Sequence, residues 1–248
     1  MKLNSFISFI CLNKTCLNNS CLNSHCLNKS IEYIKQRSLQ FKIDDSHNYK
    51  HSIAVFKEGR KLMDMKSKNF PSDNRMIVYL GCLLHDMCDR KYIDEGKGLE
   101  DIEQFLTYEC KLDKKIISAV TTIIPKMSYS KTIKNNSFVL PSDLIDFPYL
   151  DEYHLIRHAD LLTAYDLLRP IDLRYGVEPK LRMNMEDIVT EADNIIKNRV
   201  LTMIDGNIFI DRESKQLARI YHEKALKQYN QWKKSGSMDY EEIKRMLS

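Results

Sequence analysis

Two histidines and two aspartates have the residue types and the chain order of a metal site. His51 is followed by the adjacent pair His85 and Asp86, and later by Asp160. Imidazole nitrogens and carboxylate oxygens together make a mixed ligand set for a divalent ion. An ion in such a site lowers the pKa of bound water toward neutrality and so supplies a nucleophile for hydrolysis. We therefore expect these side chains to bind one metal ion.

Three polar residues near these positions are candidates for catalytic groups. Asp89, three residues after Asp86, is expected to act as a base or to orient the attacking water. Lys91 would contact a phosphate oxygen, and His47 would hydrogen-bond a phosphate oxygen or donate a proton to the leaving group. Each has a structural alternative, because an exposed turn residue, a surface lysine and a helix-capping histidine are all common.

The chain is predicted to be all-α. Seven glycines and six prolines in 248 residues are too few for a fold with many β-turns. Apolar residues recur at the helical period over several long segments. The predicted helices span 46–68, 73–87, 98–110, 113–124, 151–168, 183–204 and 213–234, with a long connection at 126–150. His51, the His85-Asp86 pair and Asp160 fall on three of these helices, so a shared ion would tie those helices together.

Four local patterns resemble the HD-domain metal-dependent phosphohydrolases, in particular the group similar to the YpgQ and YedJ proteins. They are Asp44 to His51 followed by Val55, then Leu83 to Tyr92 with the order HD-x-x-D-x-K, then Met127-Ser128-Tyr129, and finally Ala159 to Ala164 ending at Tyr175-Gly176. The resemblance implies an HD-type helical bundle with additional C-terminal helices. It implies His51, His85, Asp86 and Asp160 as metal ligands, and hydrolysis of nucleoside triphosphates with release of pyrophosphate.

Two positions beside Asp160 depart from the pattern of that group. The group usually has Asp-Ala-Asp where this chain has His158-Ala159-Asp160, and Leu-Asp-Ala where this chain has Leu162-Thr163-Ala164. The ligand positions themselves are kept, so the departures bear on substrate preference and turnover more than on metal binding. The rival hypothesis is a nucleotide-binding or scaffold protein that has lost catalysis.

The expected cofactor is one divalent cation. Two carboxylates without a thiolate favour Mn²⁺ or Mg²⁺, while Fe²⁺, Co²⁺ and Zn²⁺ remain compatible with the ligand set. His154 and His158, spaced i and i+4, leave open a second metal and an oxygenase with two irons. Tyr129 and Tyr175 are candidates for stacking on a nucleobase, with ordinary core packing as the alternative.

The expected partner is a small anionic molecule that carries phosphate, such as a nucleotide. A net charge of +4 and a pI near 8.5 are too weakly basic for a protein that binds a nucleic-acid polymer. No apolar run approaches the length of a membrane span, so no membrane partner is expected. Arg90 and Lys126 are weaker candidates for contacts with the anion.

The first thirty residues differ in composition from the rest of the chain. A Cys-Leu-Asn unit recurs every five residues at Cys11, Cys16, Cys21 and Cys26, and this even spacing does not match structural zinc sites. Residues 1–30 are predicted to be a disordered low-complexity tail, with adventitious metal binding as an alternative. Residues 31–234 form the predicted HD-type domain, whose motifs span 44–176, and residues 235–248 form a C-terminal tail.

Cys82, Cys88 and Cys110 are predicted to be buried free thiols, which indicates a cytoplasmic protein. The alternative is secretion by a weak N-terminal signal around residues 6–10.

Overall fold

The computed structural model describes residues 19–44, 47–66, 70–172 and 184–247, and the side chains from residue 24 onward. Its helices are α1 Asn19–Gln40, α2 Tyr49–Met65, α3 Ser72–Leu84, α4 Glu95–Gln104, α5 Lys114–Ile123, α6 Tyr129–Thr132, α7 Leu150–Thr163, α8 Met185–Ile195, α9 Arg212–Ser235 and α10 Tyr240–Leu247. π-helical turns Phe105–Glu109 and Ile196–Val200 extend α4 and α8, and 3₁₀ turns lie at Ile124–Lys126 and Ser142–Leu144. The all-α prediction is confirmed.

The core is built around α7, which packs against α2 and α3. Every side chain of α7 from Glu152 to Ala159 is buried. A helix that is buried on all sides must be enclosed by other helices, and α2 and α3 supply much of that cover. The domain therefore holds α7 firmly, and with it the polar residues that this helix carries.

Local chemistry sets the ends of the helices that carry the candidate ligands. The Asn48 side chain accepts a hydrogen bond of 2.8 Å from the Lys50 backbone N–H and caps α2, so this helix begins three residues later than predicted. His51 then lies in the first turn of α2. Helix α3 ends at Leu84, and the chain turns immediately through His85 and Asp86.

The connection predicted at 126–150 contains short ordered elements. Strands β1 (Ile133–Lys134) and β2 (Ser137–Phe138) form an antiparallel hairpin in which Ile133 pairs with Phe138. Asn135 and Asn136 have positive φ angles of 49° and 57°, as the turn of a two-residue hairpin requires. The Asn136 side-chain amide donates a 2.9 Å hydrogen bond to the Thr202 carbonyl. The hairpin is thereby attached to the chain that follows α8.

Both predicted tails extend into the folded domain. Helix α1 begins at Asn19, and Cys26, Leu27 and Ser30 are buried, so the prediction of disorder is wrong for residues 19–30. Apolar contacts explain this, because the last Cys-Leu-Asn unit places Cys26 and Leu27 against the core. Of the other repeat cysteines, Cys11 and Cys16 lie outside the described residues, and the Cys21 side chain is not described.

At the other end of the chain, α10 buries Ile243 and Leu247 against the core. The domain boundary predicted at residue 234 is therefore wrong as well. Gly236, with a left-handed φ of 65°, ends α9 and lets the chain turn toward α10.

Cys82, Cys88 and Cys110 are buried free thiols, as predicted. Among the helices that the structure describes, none is both long and apolar enough to cross a membrane.

Candidate metal centre

The four predicted ligands lie together where α2, α7 and the end of α3 meet. His51 Nε2 is 3.2 Å from His85 Nε2 and 3.2 Å from Asp160 Oδ1. Asp86 Oδ2 lies 3.5 Å from His51 Nε2 and 3.2 Å from His85 Nε2. His85 Nε2 is 3.8 Å from Asp160 Oδ1. Donor atoms of His51, His85 and Asp160 thus lie close to one another, and Asp86 Oδ2 lies beside both histidines.

The orientation of His85 leaves one ring nitrogen for a ligand. Its Nδ1 lies 3.0 Å from the Cys82 backbone carbonyl, which can only accept a hydrogen bond. The proton of a neutral His85 ring therefore belongs on Nδ1, and the lone pair on Nε2 faces the other donors. Metal-bound histidines are commonly oriented by a hydrogen bond of this kind from their second nitrogen.

The spacing of the donors is compatible with a bound cation. Nitrogen and oxygen ligands at about 2.1 Å from a tetrahedral ion lie about 3.4 Å from one another. The observed separations of 3.2 to 3.8 Å bracket that value. Asp86 Oδ2 is buried and makes no hydrogen bond of normal geometry, so a partner is missing at this oxygen. His51, His85 and Asp160 form a group that could hold a metal ion, and Asp86 offers a fourth donor.

The charges in this cluster favour the binding of a cation. Burial disfavours charge on His85, but the carboxylates of Asp86 and Asp160 outweigh burial and raise the pKa of this imidazole to about 9. Burial lowers the pKa of His51. Burial would raise the pKa of both carboxyl groups, yet the neighbouring imidazoles hold the pKa of Asp86 and of Asp160 below the ordinary value. Both aspartates are therefore ionised at neutral pH, as metal ligands must be.

A cavity of about 640 Å³ opens onto these donors, and the predicted catalytic residues line it. Lys91 Nζ lies 3.2 Å from His47 Nε2 and 3.9 Å from Asp89 Oδ2. The Lys91 backbone N–H donates a 2.9 Å hydrogen bond to Asp89 Oδ1. Asp89, Lys91 and His47 thus form one connected polar wall beside the candidate metal ligands.

His47 lies just before α2, although it falls inside the helix predicted at 46–68. Its ring centroid is 6.4 Å from that of His51. Its Nδ1 lies 3.2 Å from Asp44 Oδ1 and 3.2 Å from the Tyr92 hydroxyl, which also donates a hydrogen bond to Asp44. These contacts turn Nε2 toward Lys91 and the cavity.

Sequence reasoning missed several cavity residues. Arg169, Lys131 and Arg199 line the cavity together with apolar side chains that follow α8. Arg169 Nη1 donates a 3.2 Å hydrogen bond to the hydroxyl of Thr163, which in turn donates to the Asp160 carbonyl at 2.7 Å. No spacing signal in the sequence connects these residues to His51 or His85. Only Thr163, noted as a departure from the family pattern, indicated that the surroundings of Asp160 are particular to this chain.

Three residues considered from the sequence, His154, His158 and Lys126, do not line the cavity. His158 is not a cavity residue, since it is fully buried with Nδ1 at 2.9 Å from Asp211 Oδ2 and Nε2 at 2.7 Å from the Arg157 guanidinium. His154 stacks on His158, and the adjacent guanidinium makes this pair unsuitable for a second cation. Lys126 lies 3.0 Å from Asp143 and does not line the cavity.

Of the remaining candidates, Arg90 lines the cavity but pairs with Glu95 at 2.6 Å. Tyr129 lines the cavity, and Tyr175 lies outside the described residues.

Comparisons of the chain with protein-family models, with curated proteins and with solved structures found no match. The resemblance to HD-domain phosphohydrolases therefore rests on the motif residues of this chain alone.

Proposed function

We propose that this protein is a metal-dependent phosphohydrolase that acts on a nucleotide or a related small phosphate ester or anhydride. One observation carries the proposal. Donors from His51, His85 and Asp160, with Asp86 Oδ2 within 3.5 Å of both histidines, line a cavity of about 640 Å³ that also carries cationic and proton-transferring side chains. Cavities of this size suit molecules as large as a nucleotide.

The four converging side chains would hold one divalent cation. Two carboxylates and two imidazoles without a thiolate favour Mn²⁺ or Mg²⁺, and are compatible with Fe²⁺, Co²⁺ and Zn²⁺. When bound, the cation supplies Lewis-acid polarisation of a phosphoryl oxygen and a water of lowered pKa. The carboxylates of Asp86 and Asp160 provide the negative charge that keeps it in place.

The polar wall beside the ligands has groups for the remaining tasks. Asp89, whose carboxylate lies near Lys91, would accept the proton of the attacking water. The water oxygen forms a bond to phosphorus, and the bond from phosphorus to the leaving oxygen breaks. Lys91 would balance negative charge on the phosphoryl oxygens, and His47, oriented by Asp44 and Tyr92, would give a proton to the leaving oxygen.

Thr163 is the departure from the family pattern that bears on catalysis. Its hydroxyl holds the guanidinium of Arg169 against the cavity, and that positive charge acts on both His51 and Asp160. His158 instead contributes to the contact between α7 and Asp211 at the start of α9. The rival hypothesis of an inactive nucleotide-binding scaffold therefore depends on what the change at Thr163 does to turnover.

The test uses metal-stripped protein resupplied with Mn²⁺ and a panel of nucleotides. We expect one metal per chain by elemental analysis and release of phosphate or pyrophosphate from at least one nucleotide. The Asp86→Ala variant should lose metal binding and at least about 100-fold in activity, since removing a ligand disables the site. The matched control is Asp64→Ala, which removes an exposed carboxylate from α2, 3.9 Å from Arg60, and should leave activity unchanged.

Two results would overturn the proposal. Tight nucleotide binding without turnover under Mn²⁺, Mg²⁺, Fe²⁺, Co²⁺ and Zn²⁺ would establish the scaffold instead. Two metals per chain, with oxygen consumption in place of phosphate release, would establish an oxygenase with two irons.

A further inference from the structure

The cavity lining contains two chemically different sets of residues. One set is the candidate metal ligands, together with Asp89, Lys91 and His47. The other set is apolar and comes from two separate parts of the chain, with Met127 from the segment before α6 and Ile195, Val200 and Met203 from α8 and the turns after it. Val200, Met203 and Met127 are almost fully buried and so are held in place by the core, whereas Tyr129 is half-buried and Arg199 is exposed.

Arg199 lines the same cavity from the π-helical turn that extends α8. Its guanidinium carbon lies 4.0 Å above the centroid of the Tyr129 ring, so the guanidinium is held over an aromatic face. Within the described residues, the Arg199 side chain has no hydrogen-bond or ion-pair partner. The other arginines of the cavity wall are engaged, Arg90 by Glu95 and Arg169 by Thr163. Among the arginines that the structure describes in the cavity lining, Arg199 is therefore the one whose guanidinium donors are all left for a ligand.

The surroundings of Arg199 decide what kind of ligand group fits. A second phosphate would need several donors and would lose hydration against Met127, Val200 and Met203 without compensation. A planar heteroaromatic ring would bury its faces against these side chains and stack on the guanidinium–tyrosine pair. Ring nitrogen and carbonyl acceptors at its edge would meet the free N–H groups of Arg199.

We propose that Arg199 and Tyr129, with Met127 and Met203, form a subsite for the planar ring of the substrate, most simply a nucleobase. This inference rests on the proposed hydrolysis of a phosphate at the metal ligands, because it assigns the organic part of the substrate to other residues of the same cavity. Arg199 and Met203 come from the π-helical turn after α8 and the turns that follow it, beyond the motif-bearing region 44–176, whereas Met127 and Tyr129 lie within that region. Arg199 is accordingly a specificity-determining residue and does not touch the reacting phosphate.

The test compares two ligands that share the phosphates but differ in the ring. Binding of a non-hydrolysable nucleoside triphosphate analogue and of inorganic tripolyphosphate is measured by calorimetry with Mn²⁺ present. Arg199→Met should reduce the preference for the nucleotide analogue over tripolyphosphate by about tenfold, the size of one lost stacking contact. Lys197→Met is the matched control, because Lys197 is an exposed cation on the same turn that does not line the cavity.

Two conservative variants separate the shape of the side chain from its charge. Arg199→Lys keeps the positive charge but loses the planar guanidinium, so it should reduce the preference for the nucleotide analogue as Arg199→Met does. Tyr129→Phe keeps the ring and should retain the wild-type preference, whereas Tyr129→Leu should lose it.

The inference fails if Arg199→Met keeps the wild-type preference, or if Arg199→Lys restores it, because charge alone would then be sufficient. The proposed function is judged separately by turnover. If the protein hydrolyses a nucleotide and Arg199→Met keeps the preference for the nucleotide analogue over tripolyphosphate, the proposed function holds and the subsite is rejected. If Arg199→Met loses this preference but the wild-type protein hydrolyses no nucleotide, the subsite holds and the proposed hydrolysis is rejected. The protein would then be a nucleotide-binding protein.

Discussion

Neighbouring charges shift the pKa values of two buried histidines of this chain in opposite directions. At the candidate metal centre, the carboxylates of Asp86 and Asp160 outweigh burial and raise the pKa of His85 to about 9. On the other face of α7, burial and the positive charge of Arg157 lower the pKa of His154 to about 3. The first imidazole lies in a cluster that attracts cations, whereas the second lies in one that repels them.

His154 should make the protein less stable in mild acid. Its pKa in the folded state is about 3, below the ordinary value of 6.5, so the unfolded chain binds the proton more strongly. Its contribution is fully present above pH 6.5 and is lost as the pH falls from there toward 3. Asp211 opposes this shift, while Lys66 and His158 add to it. We expect His154→Gln to reduce the loss of unfolding free energy between pH 7 and pH 5 by about 1 to 2 kcal/mol.

Urea titrations at the two pH values measure this difference. His25→Gln is the matched control, because His25 is exposed on α1 and its replacement should leave the difference unchanged. An equal loss between the two pH values in His154→Gln and in the wild type would contradict the prediction.

Sequence reasoning identified the residues of the site whose types and neighbours carry a signal. His51, the His85-Asp86 pair and Asp160 are recognisable by their order, and the structure brings their donor atoms within 3.2 to 3.8 Å of a neighbour. Arg199 was not identified, because an isolated arginine on an amphipathic helix looks like any solvated charge. Its proximity to Tyr129 is created by the fold alone.

At the scale of helices, the predicted bounds agree best with the structure where the helical period of apolar residues is strong, as for α5 and α9. Their ends depend on single capping residues, and the Asn48 cap and the end of α3 at Leu84 moved predicted boundaries by about a turn. The connection at 126–150 lacked a recognisable period because its elements are only two to four residues long. Short elements of that kind are stabilised by contacts that are distant in sequence, such as that of Asn136 with Thr202.

The close approach of α3 to α7 positions two candidate ligands relative to each other. Gly81 lies one turn before His85, and a methyl group at Gly81 would come within 3.1 Å of Ile156 Cγ1 and closer to Cδ1. Ile156 is fully buried and has little room to move. We expect Gly81→Ala to cost about 1 to 2 kcal/mol of unfolding free energy, since overpacking outweighs the gain in helix propensity.

Because α3 would be pushed from α7, Gly81→Ala should also weaken Mn²⁺ binding, measured by calorimetry. Gly96→Ala is the control, since the added methyl group at the exposed start of α4 meets only the Asp94 carboxylate that caps this helix, at 3.2 Å. It should be neutral or slightly stabilising. A loss of stability in Gly96→Ala as large as in Gly81→Ala would show that close packing at Gly81 is not the cause.

At the scale of the whole molecule, the folded unit is larger than its motif-bearing region. Composition marked residues 1–30 as low in complexity, because repeats of Cys-Leu-Asn carry no helical period and resemble a polar tail. Composition alone cannot show that Cys26 and Leu27 of the last repeat pack against apolar side chains of helices that are distant in sequence. Helix α1 packs on α2 and α3, the helices that carry or precede three of the candidate ligands.

Two leucines on α1 provide a direct test of whether this helix is part of the cooperative domain. Leu27 is 3% exposed and packs in the core, whereas Leu39 is 79% exposed on the same helix. We expect Leu27→Ala to lower the unfolding free energy by about 2 to 4 kcal/mol, the cost of a cavity at a buried leucine. Leu39→Ala should change it by less than about 0.5 kcal/mol. Both are measured by urea unfolding followed by circular dichroism and by the fluorescence of Trp232, which is buried on α9 far along the chain. Equal stability of the two variants would show that α1 folds apart from the domain. A loss in Leu27→Ala seen equally by both probes would show that α1 and the C-terminal helices unfold as one unit.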